Sequence, residues 1–264
     1  PDNPALLVRH QGISWTYREL QTRVDQLATG LLALNVRPGD RVGIWGPNSS
    51  EWVLVQLATA KVGAVMVCIN PAYRLYELEY ALNKVSCSVL ICDVQFKTSD
   101  YLGMITTLAP ELALSGQEHL QAEKLPHLQH VVRMGSEHTP GMHNFDDVCH
   151  MGGAVEVELL QALQKQLKPD DAINIQFTSG TTGNPKGATL SHCNILNNGF
   201  LTGLAMQLTP KDKLCVPVPL YHCFGMVMSV LACVSHGATM VFPGPSFDPE
   251  ETLRTVEEES CTAL

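Results

Sequence analysis

The chain has 264 residues, 26 acidic against 17 basic, for a formal charge of −9 at pH 7. Hydrophobic residues make up 45% and charged ones only 16%, below the ~25% of an average soluble domain, which excludes a disordered chain. So few cations on an acidic chain cannot neutralise a phosphate backbone, which argues against nucleic acid as a partner.

In chain order, Thr16 to Glu19 reads as a capping box, and Leu20, Val24, Leu27, Leu31 and Leu34 recur behind it at helical spacing. Asn35 and the turn Arg37-Pro38-Gly39-Asp40 end that helix. Short apolar strands follow at 41–46, 64–69 and 88–92, separated by helices at 50–62 and 75–85. Strands without alternation, parted by helices of this length, predict parallel pairing covered on both faces. The fold class expected is α/β, with doubly wound sheets and covering helices. Three parts are expected: a first α/β part (1–134), an irregular connection (135–170) and a second α/β part (171–264). In the second, strands are expected at 171–177, 214–220 and 238–242, with helices at 191–208, 224–234 and from 249. Cys261 to Leu264 has the character of a new strand, so the chain reads as truncated there. Because it opens on Pro1 rather than Met, its N-terminus also reads as removed.

Nine cysteines form no C-x-x-C pair, and buried free thiols are a better reading than a zinc cage or a disulfide framework. His119, His127, His130, His138, His143 and His150 fit neither an i,i+4 pair nor a chelating loop. They are expected as solvated loop histidines, with no metal site. The apolar stretch from Gly225 to Phe242 is interrupted by Ser229, Ser235, His236 and Gly237, so it predicts a buried helix and strand rather than a membrane span.

The informative segment is Phe177-Thr-Ser-Gly-Thr-Thr-Gly-Asn-Pro-Lys-Gly-Ala-Thr-Leu-Ser-His192, expected between a strand and a helix. Gly180, Gly183 and Gly187 let backbone N–H groups approach a ligand, and the hydroxyls of Thr178, Ser179, Thr181 and Thr182 add donors. Lys186 supplies a mobile cation, so the run suits a polyphosphate. It is not the usual P-loop, because Lys186 follows Pro185 and no Gly-Lys-Ser/Thr succession is present.

Thr178 to Gly187 resembles the phosphate-binding signature of the adenylate-forming superfamily of acyl-CoA synthetases, luciferases and peptide-synthetase adenylation domains. The resemblance runs over essentially the whole chain. Ser14 to Leu20 is similar to the opening helix motif, Ala60 to Val65 with Asn70 to Tyr73 to the second, and Pro219 to Gly225 to the fourth. Within the superfamily, Trp45 to Asn48, Asn70 to Tyr73, Ile173 to Phe177 and Leu220 to Cys223 are most similar to mitochondrial medium-chain acyl-CoA ligases.

The resemblance implies a partial N-terminal AMP-binding domain that activates a fatty acid, expected to be medium-chain, with Mg2+-ATP. An acyl-adenylate would form with release of pyrophosphate, and coenzyme A, the co-substrate, would then displace AMP. The cofactor-binding residues implied are Thr178, Ser179, Gly180, Thr181, Thr182, Gly183, Asn184, Pro185, Lys186 and Gly187, and the catalytic ones Lys186 and His222. His222 would sit by the acyl carboxylate. Met226, Val227, Val230 and Leu231 read as either an acyl-tunnel wall or plain core, and His192 and Asn194 as supports of the loop. The expected location is the mitochondrial matrix, and the expected partners are small molecules, with no transmembrane segment. The family's later nucleotide-binding motif, its hinge and its C-terminal lid domain have no counterpart in these residues, which are therefore expected to be inactive alone. Alternatives are a non-catalytic nucleotide-binding short isoform and a 4-coumarate- or luciferase-type enzyme.

Overall fold

The computed structural model describes residues 1–114, 116, 119–178 and 183–264. The chain enters as β1 (Pro4–Val8) and returns antiparallel as β2 (Ile13–Thr16). Thr16 then caps α1 (Tyr17–Ala33): its Oγ1 accepts the Glu19 N–H at 3.2 Å, and the Glu19 carboxylate accepts the Thr16 N–H at 2.8 Å. The stripe Leu20, Val24, Leu27, Leu31 and Leu34 is buried as its spacing predicts. Beyond it Asp40 closes the turn by accepting the Arg37 N–H at 2.7 Å.

Next come β3 (Arg41–Trp45), α2 (Ser50–Val62), β4 (Val65–Ile69), α3 (Leu75–Lys84) and β5 (Val89–Cys92). These strands are parallel and buried almost throughout, which is why their sequences show no alternation. A small hairpin of β6 (Gln95–Phe96) and β7 (Ser99–Asp100) leads into α4 (Tyr101–Leu108), capped by the Asp100 side chain.

The stretch 135–170, expected as an irregular connection, is largely ordered structure. After β8 (His130–Arg133) come β9 (His143–Asn144), α5 (Phe145–Met151) and α6 (Ala154–Gln164). The Asn144 side chain caps α5 by accepting the Asp146 N–H, and Phe145, Val148 and Leu160 are buried on the core around α1. A Gly152-Gly153 break between two short helices leaves too few turns for either periodicity to stand out. His130 and His143 are likewise not solvated. Both lie in strands, at 8% and 6% exposure, with His143 Nε2 at 3.2 Å from His130 Nδ1.

The chain continues through β10 (Ala172–Thr178), β11 (Lys186–Ser191), α7 (His192–Ala205) and β12 (Lys213–Cys215). Pro217 and Pro219 cut the expected strand at 214–220 to three residues, since proline cannot donate to a ladder. A helical run then joins α8 (Cys223–Gly225), a π-helical stretch (Met226–Leu231) and α9 (Ala232–His236), followed by β13 (Thr239–Phe242) and α10 (Pro249–Glu258). A parallel bridge from Ala263 to Leu214 agrees with the strand character of the last residues. Among the described residues no helix is long and apolar enough to cross a membrane.

The strands described form a sheet of order β11-β10-β4-β3-β5-β8-β9 and a second of order β12-β13-β1-β2. The division at 134 and 171 is thus not a division in space: β1 and β2 pair into the sheet of β13, while β10 extends the sheet of β3 and β4. Parallel pairing overrides chain order because each partly formed sheet has an edge to cover. One apolar core, from Leu6 and Met240 through Leu27 and Val53 to Met66 and Met226, joins the two sheets.

Candidate functional site

In open parallel sheets ligands bind beyond the carboxyl ends of the strands. Here the carboxyl ends of β3, β4 and β13, and the segment after β12, converge on a crevice of about 410 Å3, lined by Asn48, Asn70, Pro217, Tyr221, Pro245 and Phe247 among others. Asn48 fastens the two sheets together at its floor. Its side-chain N–H donates to the Val218 carbonyl at 2.9 Å, its Oδ1 accepts the Leu220 N–H at 2.8 Å, and its own N–H donates to the Pro245 carbonyl. Two buried aromatics hold the neighbouring wall: Trp45 Nε1 donates to the Asn70 carbonyl at 3.1 Å and the Tyr101 hydroxyl to that of Pro71 at 2.9 Å.

Beside this wall, β10 runs parallel to β4, pairing Gln176 with Cys68. Extending that register by one pleat brings Thr178, where the phosphate-loop motif starts, alongside Asn70. Ser179, Gly180, Thr181 and Thr182 lie outside the described residues. Gly183 takes φ +93°, a left-handed conformation that suits glycine. Asn184 accepts a hydrogen bond from the Tyr76 hydroxyl at 3.2 Å, and Tyr73 meets Phe177 edge-on at 6.5 Å, so α3 and the turn before it support the loop. Pro185 precedes the start of β11, where Lys186 pairs with Thr178; the Thr178 hydroxyl donates to the Lys186 carbonyl at 3.4 Å. The segment from Lys186 to Ser191, expected to lead from the loop to a helix, is an antiparallel edge strand instead. Its residues 186–189 are exposed, so no apolar run announces it, and Gly187 shortens the recognisable part further. The consequence is useful: Lys186 is fixed in register opposite Thr178, at the base of the β10–β11 pair.

The fourth motif meets the same region from the second sheet. His222 is exposed at the head of the α8 run, and its Nδ1 accepts the Phe224 N–H at 3.2 Å. In the neutral ring that contact leaves the proton on Nε2. The His222 carbonyl accepts the Met226 N–H, and Met226 Sδ lies 2.8 Å from Gln176 Nε2 on β10. Gln56 of α2 adds a hydrogen bond to the Met226 carbonyl at 2.9 Å, satisfying a group at the start of the π-helical stretch. Gln176 and Gln56, which sequence reasoning missed, thus lock the His222 turn to the strand that bears the loop. For Gln176 the available signal was a pair of amides, Asn174 and Gln176, alternating with isoleucines in a strand.

Met226, Val227, Val230 and Leu231 are buried in the main core. The other side of this helical run, Phe224, Met228 and Ser229, borders an apolar cavity of about 230 Å3 with Met206, the C-cap of α7, and Val218. Asn194 caps α7 through Ser191, accepting its N–H at 3.0 Å. His192 stands at the first position of α7, its N–H donated to the Asp171 carbonyl, and burial lowers its pKa.

The AMP-binding enzyme family model matches residues 1–264. The chain belongs to the AMP-binding enzymes. Among curated proteins of the family, it is 44% identical over 264 residues to the Danio rerio medium-chain acyl-CoA ligase ACSF2, mitochondrial, covering 99% of this chain and 43% of that protein. It is 40% identical to the putative acyl-CoA synthetase YngI of Bacillus subtilis strain 168, over 100% of this chain and 48% of that one. Among solved AMP-binding enzyme folds, it superposes on the anthranilate CoA ligase AuaEII in complex with anthranoyl-AMP with a TM-score of 0.81, at 25% identity, covering 99% of this chain and 46% of that one. The chain spans less than half the length of these relatives.

Proposed function

We propose that these residues are the nucleotide-binding half of an acyl-CoA ligase, which joins a fatty acid to ATP and then to coenzyme A. The observation that carries this reading is the coupling of the hairpin bearing Lys186 to the turn bearing His222, through Gln176 and Met226, next to a crevice that Pro219 and Tyr221 of the same motif line. Lys186 would offset charge on the β- and γ-phosphates, and the loop from Thr178 to Gly187 would wrap them with hydroxyl and N–H donors. Magnesium would arrive on the phosphates of the substrate ATP. Among the described residues no cluster of three His, Cys, Asp or Glu suits a metal ion.

His222 has one ring nitrogen occupied by the Phe224 N–H and would turn Nε2–H toward a carboxylate oxygen, orienting the acid for attack on the α-phosphate. The apolar cavity beside Phe224 and Met228 would take the alkyl chain. A medium chain length and a mitochondrial matrix location are the finer parts of the proposal, and the names of the curated relatives support both. The relatives' greater length supports the further reading that these 264 residues do not turn over alone.

The test is ATP–pyrophosphate exchange, run on these 264 residues and on the protein at full natural length, with short, medium and long fatty acids and 4-coumarate. The reading expects exchange in the full-length protein alone, highest with medium-chain acids and lost in Lys186→Ala. Absence of exchange with every acid would overturn it, and exchange by the 264 residues would overturn the incompleteness.

A further inference from the structure

The helical run after His222 leaves α-geometry over Met226–Leu231, where it widens to a π-helix. A π-turn spans one residue more than an α-turn and packs less well, so it persists where its surroundings hold it. Two neighbouring helices do so here. On one side α7 approaches at Gly199, where a Cβ would stand 3.0 Å from the Val227 carbonyl oxygen and 2.7 Å from the Leu231 Cβ. On the other, α2 presents Gln56, 7% exposed, whose Nε2 donates to the Met226 carbonyl at 2.9 Å. Within the run, the Ser229 hydroxyl donates to the Phe224 carbonyl, five residues back, at 3.0 Å. Gln56 lies in a helix whose other buried members include Trp52, Val53, Val55 and Ala58, and a buried amide is costly unless its hydrogen bonds are made. Among the described residues, the hydrogen bond that side chain makes is the one to the π-turn.

The π-turn sets the direction of the site. Closing it to α-geometry would take one residue out of the turn and swing the residues before it by about 100° around the helix axis. Those residues include His222 and Phe224. The Gly225 and Met226 N–H groups donate to the His222 carbonyl, so His222 turns with the run, and Phe224 borders the apolar cavity with Met228. We propose that Gln56 is a positioning residue for the fatty acid: by holding the π-turn open, it keeps His222 and Phe224 aimed at the carboxylate and the alkyl chain. The substrate rests on the proposed function, whereas the tether does not.

The experiment compares the full-length protein with Gln56→Met, which fills similar space without a donor, and with Gln56→Glu. A carboxyl buried at that place is protonated at pH 6 and donates as the amide does, whereas at pH 8 it is ionised and donates nothing. In ATP–pyrophosphate exchange, Gln56→Met is expected to raise KM for the fatty acid at least tenfold and to leave KM for ATP within twofold. Gln56→Glu should match the unaltered protein at pH 6 and Gln56→Met at pH 8. Amide hydrogen exchange of the peptide 224–232 should quicken at least tenfold wherever the acid KM rises, relative to the unaltered protein at the same pH. An unchanged acid KM in Gln56→Met would overturn the proposal. So would equal rises in both KM values, or a Gln56→Glu protein indifferent to pH, the marks of a merely structural residue. Absence of pyrophosphate exchange with every acid in the unaltered protein would overturn the proposed function instead. The hydrogen-exchange arm then decides the tether by itself, and equal protection in Gln56→Met would refute it.

Discussion

The seam where the two sheets and the α1–α5 layer meet and the β10–β11 hairpin sit in the same fold but are built from opposite materials. At the seam Asn48 is 4% exposed with both ends of its amide bonded, and α1 lies so close to α5 that a Cβ on Gly30 would stand 1.8 Å from the Val148 carbonyl oxygen. On the hairpin, residues 186–189 are exposed and the loop leans on α3 through a bond between two exposed side chains, Tyr76 and Asn184. Burial at the seam stabilises the fold, and the Asn48 amide is spent on backbone partners rather than on a ligand. The outer arm of the hairpin, β11, contributes little to stability and keeps the Lys186 cation available, while its inner arm, β10, is buried in the sheet. Stability and ligand binding should therefore separate by residue.

The separation breaks most sharply at Gly30. Gly30→Val forces α1 away from α5 and is expected to cost roughly 4 kcal/mol or more, read as loss of cooperative thermal unfolding. Asn48→Ala strands the half-buried Val218 carbonyl and the buried Leu220 N–H, for roughly 2–4 kcal/mol by denaturant midpoint. It should also weaken ligand binding in the crevice, because the floor is no longer held.

A pH series sharpens the same contrast. Burial, then the neighbouring His143 and His119, lower the His130 pKa from 6.5 to about 4. The unfolded chain takes up this proton near pH 6.5 and the folded chain only near 4. Stability from this site is therefore intact above 6.5 and is lost as pH falls from 6.5 toward 4, by roughly 3 kcal/mol at ~1.4 kcal/mol per unit. In His130→Phe the decline of unfolding free energy over that window should shrink; an unchanged slope would place the proton uptake elsewhere. Smallest is Thr16→Ala, which removes one half of the α1 capping box and should cost about 1 kcal/mol without touching ligand binding.

The legible parts of the fold were those in which one signal dominated. Helix α1 was announced by its cap and stripe, α2 by its bounds at Ser50 and Val62, and the parallel strands by unbroken apolar runs. What stayed hidden was structure whose determinant lies far along the chain. Strand β11 exists because β10 offers an edge, not because its own exposed residues prefer extension. His130 and His143 are buried because their strands extend the sheet beyond β5, and a histidine carries no periodic mark of that. In the site, Lys186 and His222 stood out by motif, whereas the partner shared by Gln176 and Gln56 showed only once the π-helical turn brought Met226 between them. The apolar cavity falls on Phe224 and Met228, while Met226, Val227, Val230 and Leu231, left between tunnel wall and core by their sequence, face the core.

The central claim is that the hairpin base holds the nucleotide's phosphates through Lys186, and calorimetric titration of ATP into the chain tests it most directly. Lys186→Ala should weaken ATP binding at least tenfold, about 1.4 kcal/mol, with the thermal midpoint of the free chain unchanged because the side chain is exposed. Equal ATP affinity in the two proteins would contradict the account.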